Sequence, residues 1–399
     1  MNQPTVRDLR EHRFQATTAY ELAPFERLSL AEQNALSALA RDPDGFGILR
    51  PCGNNRLRAK SASRDLALLW YTLQTPGPLP RFVTDRLGGL SHQIIGALVL
   101  DGVLAIEADG VLLTGQAASA LICGRPEEGS AQGTLAALSR RALAAGVSVE
   151  MQDAGALSSW LYQYNQVPAS LRWRRLLPHR SAVREFLGLS RGVAAPILHK
   201  GWKALADTPD AHWIGWHSHQ SPHKTNHSLT YKLYVSPACD HIQDALQAAI
   251  LAAARSRAFH LKVGATLSGL LRPDKLVLYF SSFADLQEAA AELLERLESC
   301  PAHGIPFTAE ISKTGLLSWG IDPPAELFSD AEAVRESFRS RVTNKLAASL
   351  LIARRSANSC EAAVSFALDR LLVEGIDPDT FAPTRGLIWT EERIEAIGA

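Results

Sequence analysis

The alternation of polar and apolar residues is sharpest in the C-terminal half of the chain. In Phe259-His260-Leu261-Lys262-Val263, strand periodicity sets His260 and Lys262 on one face and the apolar residues on the other. Lys232-Leu233-Tyr234-Val235 alternates in the same way, and Arg272-Pro273-Asp274 leads into Val277-Leu278-Tyr279. Around these segments the pattern predicts strands over 230–236, 258–263 and 275–280, with a further strand around 307–312. Helices are expected over 240–256, 282–298, 330–355 and 359–374, and a loop over 313–324. The order β-α-β-β-α-β followed by helices predicts an α+β fold, with a mixed or antiparallel sheet packed with helices on one face.

The N-terminal half reads differently. Residues 1–24 are polar and irregular, an arm with some helix. Apolar spacing of three to four predicts a helix over 30–39, and Ser63-Arg64-Asp65 caps a second that runs to Leu73. Shorter helices are expected over 80–87 and 90–100. Two apolar runs joined by Ala108-Asp109-Gly110 then signal a hairpin. Helices followed by a hairpin resemble a winged helix; a small α+β unit without a ligand is the plainer alternative. The expected organisation is an arm at 1–24, a winged-helix-like domain at 25–125, a helical connecting region at 126–200 and an α+β domain at 201–399. The aromatic group Trp160, Tyr162, Tyr164 and Trp173 in the connecting region is expected in a core or domain interface.

Composition narrows the function. The 399 residues are 46% hydrophobic and 21% charged, values of a soluble globular protein. Lys+Arg and Asp+Glu balance at 41 each, which argues against broad capture of nucleic acid. No long apolar run predicts a membrane span. Five scattered cysteines without a CxxC pair fit a cytoplasmic protein with free thiols.

Lysine, arginine, tyrosine and histidine converging on a sheet face suit an anionic substrate and proton transfer. A partly desolvated Lys262 near other cations would have a lowered pKa and act as a base; the alternative is an edge-strand lysine facing water. Arg272 suits bidentate phosphate binding, or else an ion pair with Asp274. Lys232, Tyr234, Tyr279 and His260 are candidates with similar structural alternatives. Lys313, Arg339 and Arg341 add positive charge downstream, and Arg335 shares a helix face with Arg339. His217, His219, His223 and His227 have metal-ligand spacing. Their loop-like composition, without Asp or Glu between His212 and His227, argues against zinc, and no cofactor is expected.

The order of these pieces resembles the HopA effector-like domain found in gene clusters for ribosomally made, modified peptides, including lanthipeptides. The motifs that carry it are Tyr231-Lys232-Leu233-Tyr234, Phe259-His260-Leu261-Lys262-Val263, Arg272-Pro273-Asp274, Val277-Leu278-Tyr279, Pro306-Phe307-Thr308, Gly315, Asp322-Pro323 and Ser337-Phe338-Arg339-Ser340-Arg341. They cover roughly 200–385. The family is distantly similar to phosphothreonine lyases, which eliminate phosphate without a metal. That resemblance implies Lys262 as the base, Lys232, Arg272 and Tyr279 at the phosphate, and Lys313, Arg339 and Arg341 as further phosphate-binding residues. Where the pathogen lyases carry an acid histidine, this chain has Tyr234, and Arg341 is displaced by one position. Tyr234, His260 or a histidine of 217–227 then supplies the acid, or elimination is lost. The expected substrate is a phosphorylated precursor peptide made by a separate kinase. The rival reading is a non-catalytic module that recognises peptide, phosphate or nucleic acid.

Overall fold

Two short strands, Arg13–Ala16 (β1) and Tyr20–Pro24 (β2), occupy the segment expected as an arm with some helix. Their partners are remote in sequence: Phe14 pairs with Ile106, and Leu22 with Leu49. The computed structural model describes residues 6–35, 42–53, 59–124, 132–189, 194–206, 208, 211–219, 229–324, 336–354, 358–384 and 386–387. After α1 (Leu30–Ala35), β3 (Gly45–Pro51) and β4 (Lys60–Ser63) join β2 in a three-stranded sheet. The rest of the helix expected over 30–39 lies outside the described residues. Ser63 caps α2 (Arg64–Thr72) by accepting from the Leu66 amide, as its place before the helix suggests.

β5 (Gly77–Pro78), α3 (Arg81–Leu87) and α4 (Ser91–Leu100) precede the expected hairpin of β6 (Leu104–Ala108) and β7 (Val111–Leu113). Its turn places Asp109 at φ 51° and Gly110 at φ 76°, the two left-handed residues a tight hairpin turn needs. These strands form a second sheet in the order β5-β1-β6-β7. Five helices follow α5 (Ser119–Ile122): α6 (Thr134–Ser148), α7 (Ala154–Gln163), α8 (Leu171–Leu176), α9 (Arg180–Phe186) and α10 (Ala194–Gly201).

The C-terminal part is α+β, as expected, around a seven-stranded sheet. Its strands are β8 (Trp202–Ala204), β9 (Trp213–Ser218), β10 (Thr230–Val235), β11 (His260–Gly264), β12 (Leu276–Phe280), β13 (Ala309–Glu310) and β14 (Leu317–Asp322). They run in the order β13-β14-β10-β12-β11-β9-β8, with antiparallel neighbours throughout. Residues 313–324, expected as a loop, therefore contain a full strand. Leu317-Ser318-Trp319-Gly320-Ile321-Asp322 has the same period of two as its neighbour β10.

One face of this sheet is apolar. Leu233, Leu261, Val263, Leu278 and Phe280 pack against α11 (Ile242–Arg255) and α13 (Phe283–Arg296), with the short α12 (Leu267–Leu271) between them along the chain. The other face meets a helical layer that includes α7 and α14 (Phe338–Ala353), so helices cover both faces of the sheet and not one as expected. α14 docks closely because Gly320 has no side chain: a Cβ there would lie 2.4 Å from the Phe338 ring. α15 (Cys360–Val373) connects the halves, burying Phe366 and Val373 in the N-terminal core and Leu368 and Leu371 beside α14. No helix among the described residues is long and apolar enough to cross a membrane.

Candidate functional site

The antiparallel register arranges the polar side chains of this second, helix-covered face as a grid. Tyr279 of β12 stands between Lys232 of β10 and His260 of β11, while the next row holds Tyr234, Val277 and Lys262. β9 extends the rows with His217 opposite His260 and Gly215 opposite Lys262. Alternation in three separate strands thus places five of the candidate residues on one surface.

Aromatic rings form its floor and wall. The Lys262 Nζ lies 4.1 Å from the Trp213 ring centroid and 5.5 Å from that of Tyr279. The Lys232 Nζ lies 5.2 Å from the same Tyr279 ring, and the Arg272 guanidinium 5.3 Å from Trp213. Lys262 and Arg272 therefore sit on the same side of the sheet. Their charged centres are no more than about 9.4 Å apart, the sum of their distances to Trp213. The ring faces offset part of the repulsion between these cations.

Each cation has a different commitment. Lys232 pairs with Asp322 at 2.6 Å. Arg272 donates Nε and Nη2 to the two oxygens of Asp274 at 2.8 Å each, the ion pair weighed as its structural alternative. Asp274 also accepts from the Tyr162 hydroxyl at 3.0 Å. Burial opposes its charge, but the hydrogen bonds from Arg272 and the Arg339 charge hold its carboxyl well below the usual carboxylate range. Lys262 has no hydrogen-bonding or ion-pairing partner among the described residues. Burial, and secondly the Lys232 charge, bring its pKa down to about 8.

Lowered basicity alone does not identify a base. Burial also brings Lys275 down to about 8, yet Lys275 is wholly enclosed and donates to the Pro237 carbonyl at 2.9 Å and to His303 Nδ1 at 2.6 Å. Lys275 is a strut; Lys262 is the uncommitted amine.

The possible acids separate clearly. His260 donates through Nδ1 to the Trp216 carbonyl at 2.9 Å, so Nε2 carries no proton in the neutral ring. Burial and the adjacent His217 bring its pKa down to about 4, and it is unprotonated near neutrality. Burial pushes Tyr234 and Tyr279 well above the ordinary phenol value, so both keep their protons.

Three of the sequence-derived phosphate candidates lie apart from this arrangement. Arg339 is wholly buried, bonded to the Pro306 carbonyl at 3.0 Å and the Tyr162 carbonyl at 2.5 Å, and 3.3 Å from Asp274. It braces Asp274 from behind. Arg341 is two residues further along α14, a turn of about 200°, and so points elsewhere. It meets Glu336 at 3.4 Å and Glu374 at 3.3 Å. Lys313 is exposed on the β13–β14 turn, where its carbonyl accepts from Thr134. Arg335, His223 and His227 lie outside the described residues. Among the described residues, no group of three or more His, Cys, Asp or Glu is arranged to hold a metal ion.

Sequence reasoning did not anticipate the roles of Trp213, Tyr162 and Asp322. Tyr162 was expected in a core or interface; its ring lies 4.3 Å from the Arg339 guanidinium and 5.6 Å from that of Arg272. Only the packing of α7 over the sheet brings it there.

No protein-family model and no curated protein matches the chain. Among solved structures, an effector protein from Pseudomonas syringae pv. tomato strain DC3000 is similar at 16% identity and a TM-score of 0.38, over 63% of this chain and 99% of that one. An effector protein from Pseudomonas syringae pv. syringae strain 61 is similar at 12% identity and 0.36, over 63% and 99%. A phosphothreonine lyase is similar at 14% identity and 0.26, over 44% and 99%.

Proposed function

We propose that this protein is a phospho-lyase that eliminates phosphate from phosphoserine or phosphothreonine in a peptide. The observation that carries this reading is the sharing of Trp213 by an uncommitted Lys262 amine and the Arg272 guanidinium. In the proposed step the neutral Lys262 amine takes the Cα proton. The Cα–H electron pair forms the Cα–Cβ double bond, the Cβ–O bond breaks, and phosphate departs with the Cβ–O bonding pair. Arg272 and Lys232 stabilise the charge that gathers on the leaving oxygens, an effect worth roughly 3–4 kcal/mol for each donor lost. Tyr234, which keeps its proton, serves as the acid in place of a histidine. His260 lacks a proton at Nε2 and is a packing neighbour of Tyr279, with ring centroids 4.7 Å apart.

The substrate in this reading is a precursor peptide phosphorylated by a separate kinase, and the product a dehydroamino acid. The helices α2–α4 and the β6–β7 hairpin act as a winged-helix-like unit. Its edge strand β7, with Val111 56% exposed, takes up a leader segment as an added strand. The test is incubation of the purified protein with phosphothreonine and phosphoserine peptides, followed by mass spectrometry. Loss of the elements of phosphoric acid, with a product that adds a thiol, is expected. A free hydroxyl at the same residue, or no reaction with either peptide, rejects the assignment.

A further inference from the structure

The longest stretch of this chain's middle region without an acidic residue runs from Ala154 to Arg184, and its second half is strongly basic. Leu171 to Arg184 contains Arg172, Arg174, Arg175, Arg180 and Arg184 with no counter-charge in sequence. In a protein whose overall charge is zero, this is a local concentration of positive charge.

The fold presents it outward. Trp173 anchors α8 to the sheet core and meets the Phe186 ring at 5.9 Å. Arg172, Arg174 and Arg175 are exposed around that anchor. Arg172 has a loose pair with Asp240 at 3.4 Å, while Arg174 and Arg175 have no partner among the described residues. Leu171 and Leu176, 72% and 45% exposed, give the same surface an apolar component.

Two hydrogen bonds tie this surface to the rim of the candidate site. The Val167 amide donates to the Leu271 carbonyl at 3.0 Å, beside Arg272. Arg180 donates to the Ala211 carbonyl, two residues before Trp213. From Val167 to Arg174 the backbone spans at most roughly 20 Å. An extended peptide covers that distance in about six residues.

We infer that α8 is a docking surface for acidic residues of the substrate, and that this protein selects phosphopeptides carrying Asp or Glu within about six residues of the reacting position. The inference rests on the lyase reading and adds to it the class of flanking sequence. Charge complementarity identifies the occupant, and the exposed leucines suit apolar residues interspersed among the acids.

The test is steady-state elimination with two matched phosphothreonine peptides, one with glutamates in the flank and one with glutamines. The glutamate peptide is expected to show a KM lower by about three- to tenfold at low salt, with kcat alike for the two. Added salt should remove the difference. The double variant Arg174→Glu/Arg175→Glu should transfer the preference to a lysine-flanked peptide. Equal KM values in the unaltered protein, or a glutamate preference that survives charge reversal, overturn the inference. If no peptide is eliminated, the lyase reading fails by itself. The surface is then judged by fluorescence anisotropy with the unphosphorylated forms. Tighter binding of the glutamate peptide, lost on charge reversal, supports it. Equal binding, or tighter binding of a single-stranded oligonucleotide, overturns it.

Discussion

Replacing Lys262 by methionine should stabilise the protein near neutral pH, although it removes the proposed base. The change keeps the side-chain stem and deletes a largely buried charge. The Lys262 pKa falls from 10.5 to about 8 on folding, chiefly through burial. At 1.36 kcal/mol per unit, the charged form costs the folded state roughly 3 kcal/mol. The sign follows from proton counts. Below pH 8 both states hold the proton and the cost is fully present. Between pH 8 and 10.5 the folded state releases its proton first, so stability recovers as pH rises. The cation–π contact with Trp213 returns about 1 kcal/mol, leaving a net gain of roughly 2 kcal/mol for the variant at pH 7. Urea unfolding of both proteins at pH 7 and pH 10 measures it, because the other titrating groups are common to both. The gap should shrink by about 2 kcal/mol between the two values. A variant less stable than the parent at pH 7, or a gap unchanged by pH, would show that Lys262 is not desolvated.

Other consequences follow from the same network. Asp274→Asn leaves the buried Arg339 without its counter-charge and should cost about 3–5 kcal/mol in urea unfolding; unchanged stability would mean the ion pair is unimportant. Lys232→Met removes the second-largest cause of the lowered Lys262 pKa. The rising limb of the pH–rate profile for elimination should then move above pH 8, and an unmoved limb would separate the two lysines. Gly320→Ala places a methyl group 2.4 Å from the Phe338 ring and should lower stability by about 1–3 kcal/mol, read as a thermal shift. A variant as stable as the parent would show that α14 does not depend on that close approach.

The sheet was legible where its signal is local. His260 and Lys262, or Lys232 and Tyr234, declare a shared face by their spacing alone, and the structure adds only the register that sets Tyr279 between the strands. β1 and β2 were not legible, because a strand of four or five residues is defined by partners such as Ile106 and Leu49 that lie far along the chain. β14 was obscured by Gly320 and by Asp322 before Pro323, residue types common in loops. The site divides along the same line. Residues that alternate within a strand were found, whereas Tyr162 and Trp213 reach it through tertiary packing. Arg339 and Arg341 show the converse: two cations close in sequence look equivalent there, and helical geometry points them in different directions.

The proposed proton transfer can be observed directly. Elimination from a phosphothreonine peptide bearing deuterium at Cα should be slower than from its hydrogen counterpart, and Lys262→Ala should abolish the reaction while the protein stays folded. Equal rates for the two isotopic peptides would mean that Cα–H cleavage is not rate-limiting, and elimination by folded Lys262→Ala would contradict the account by showing that another group takes the proton.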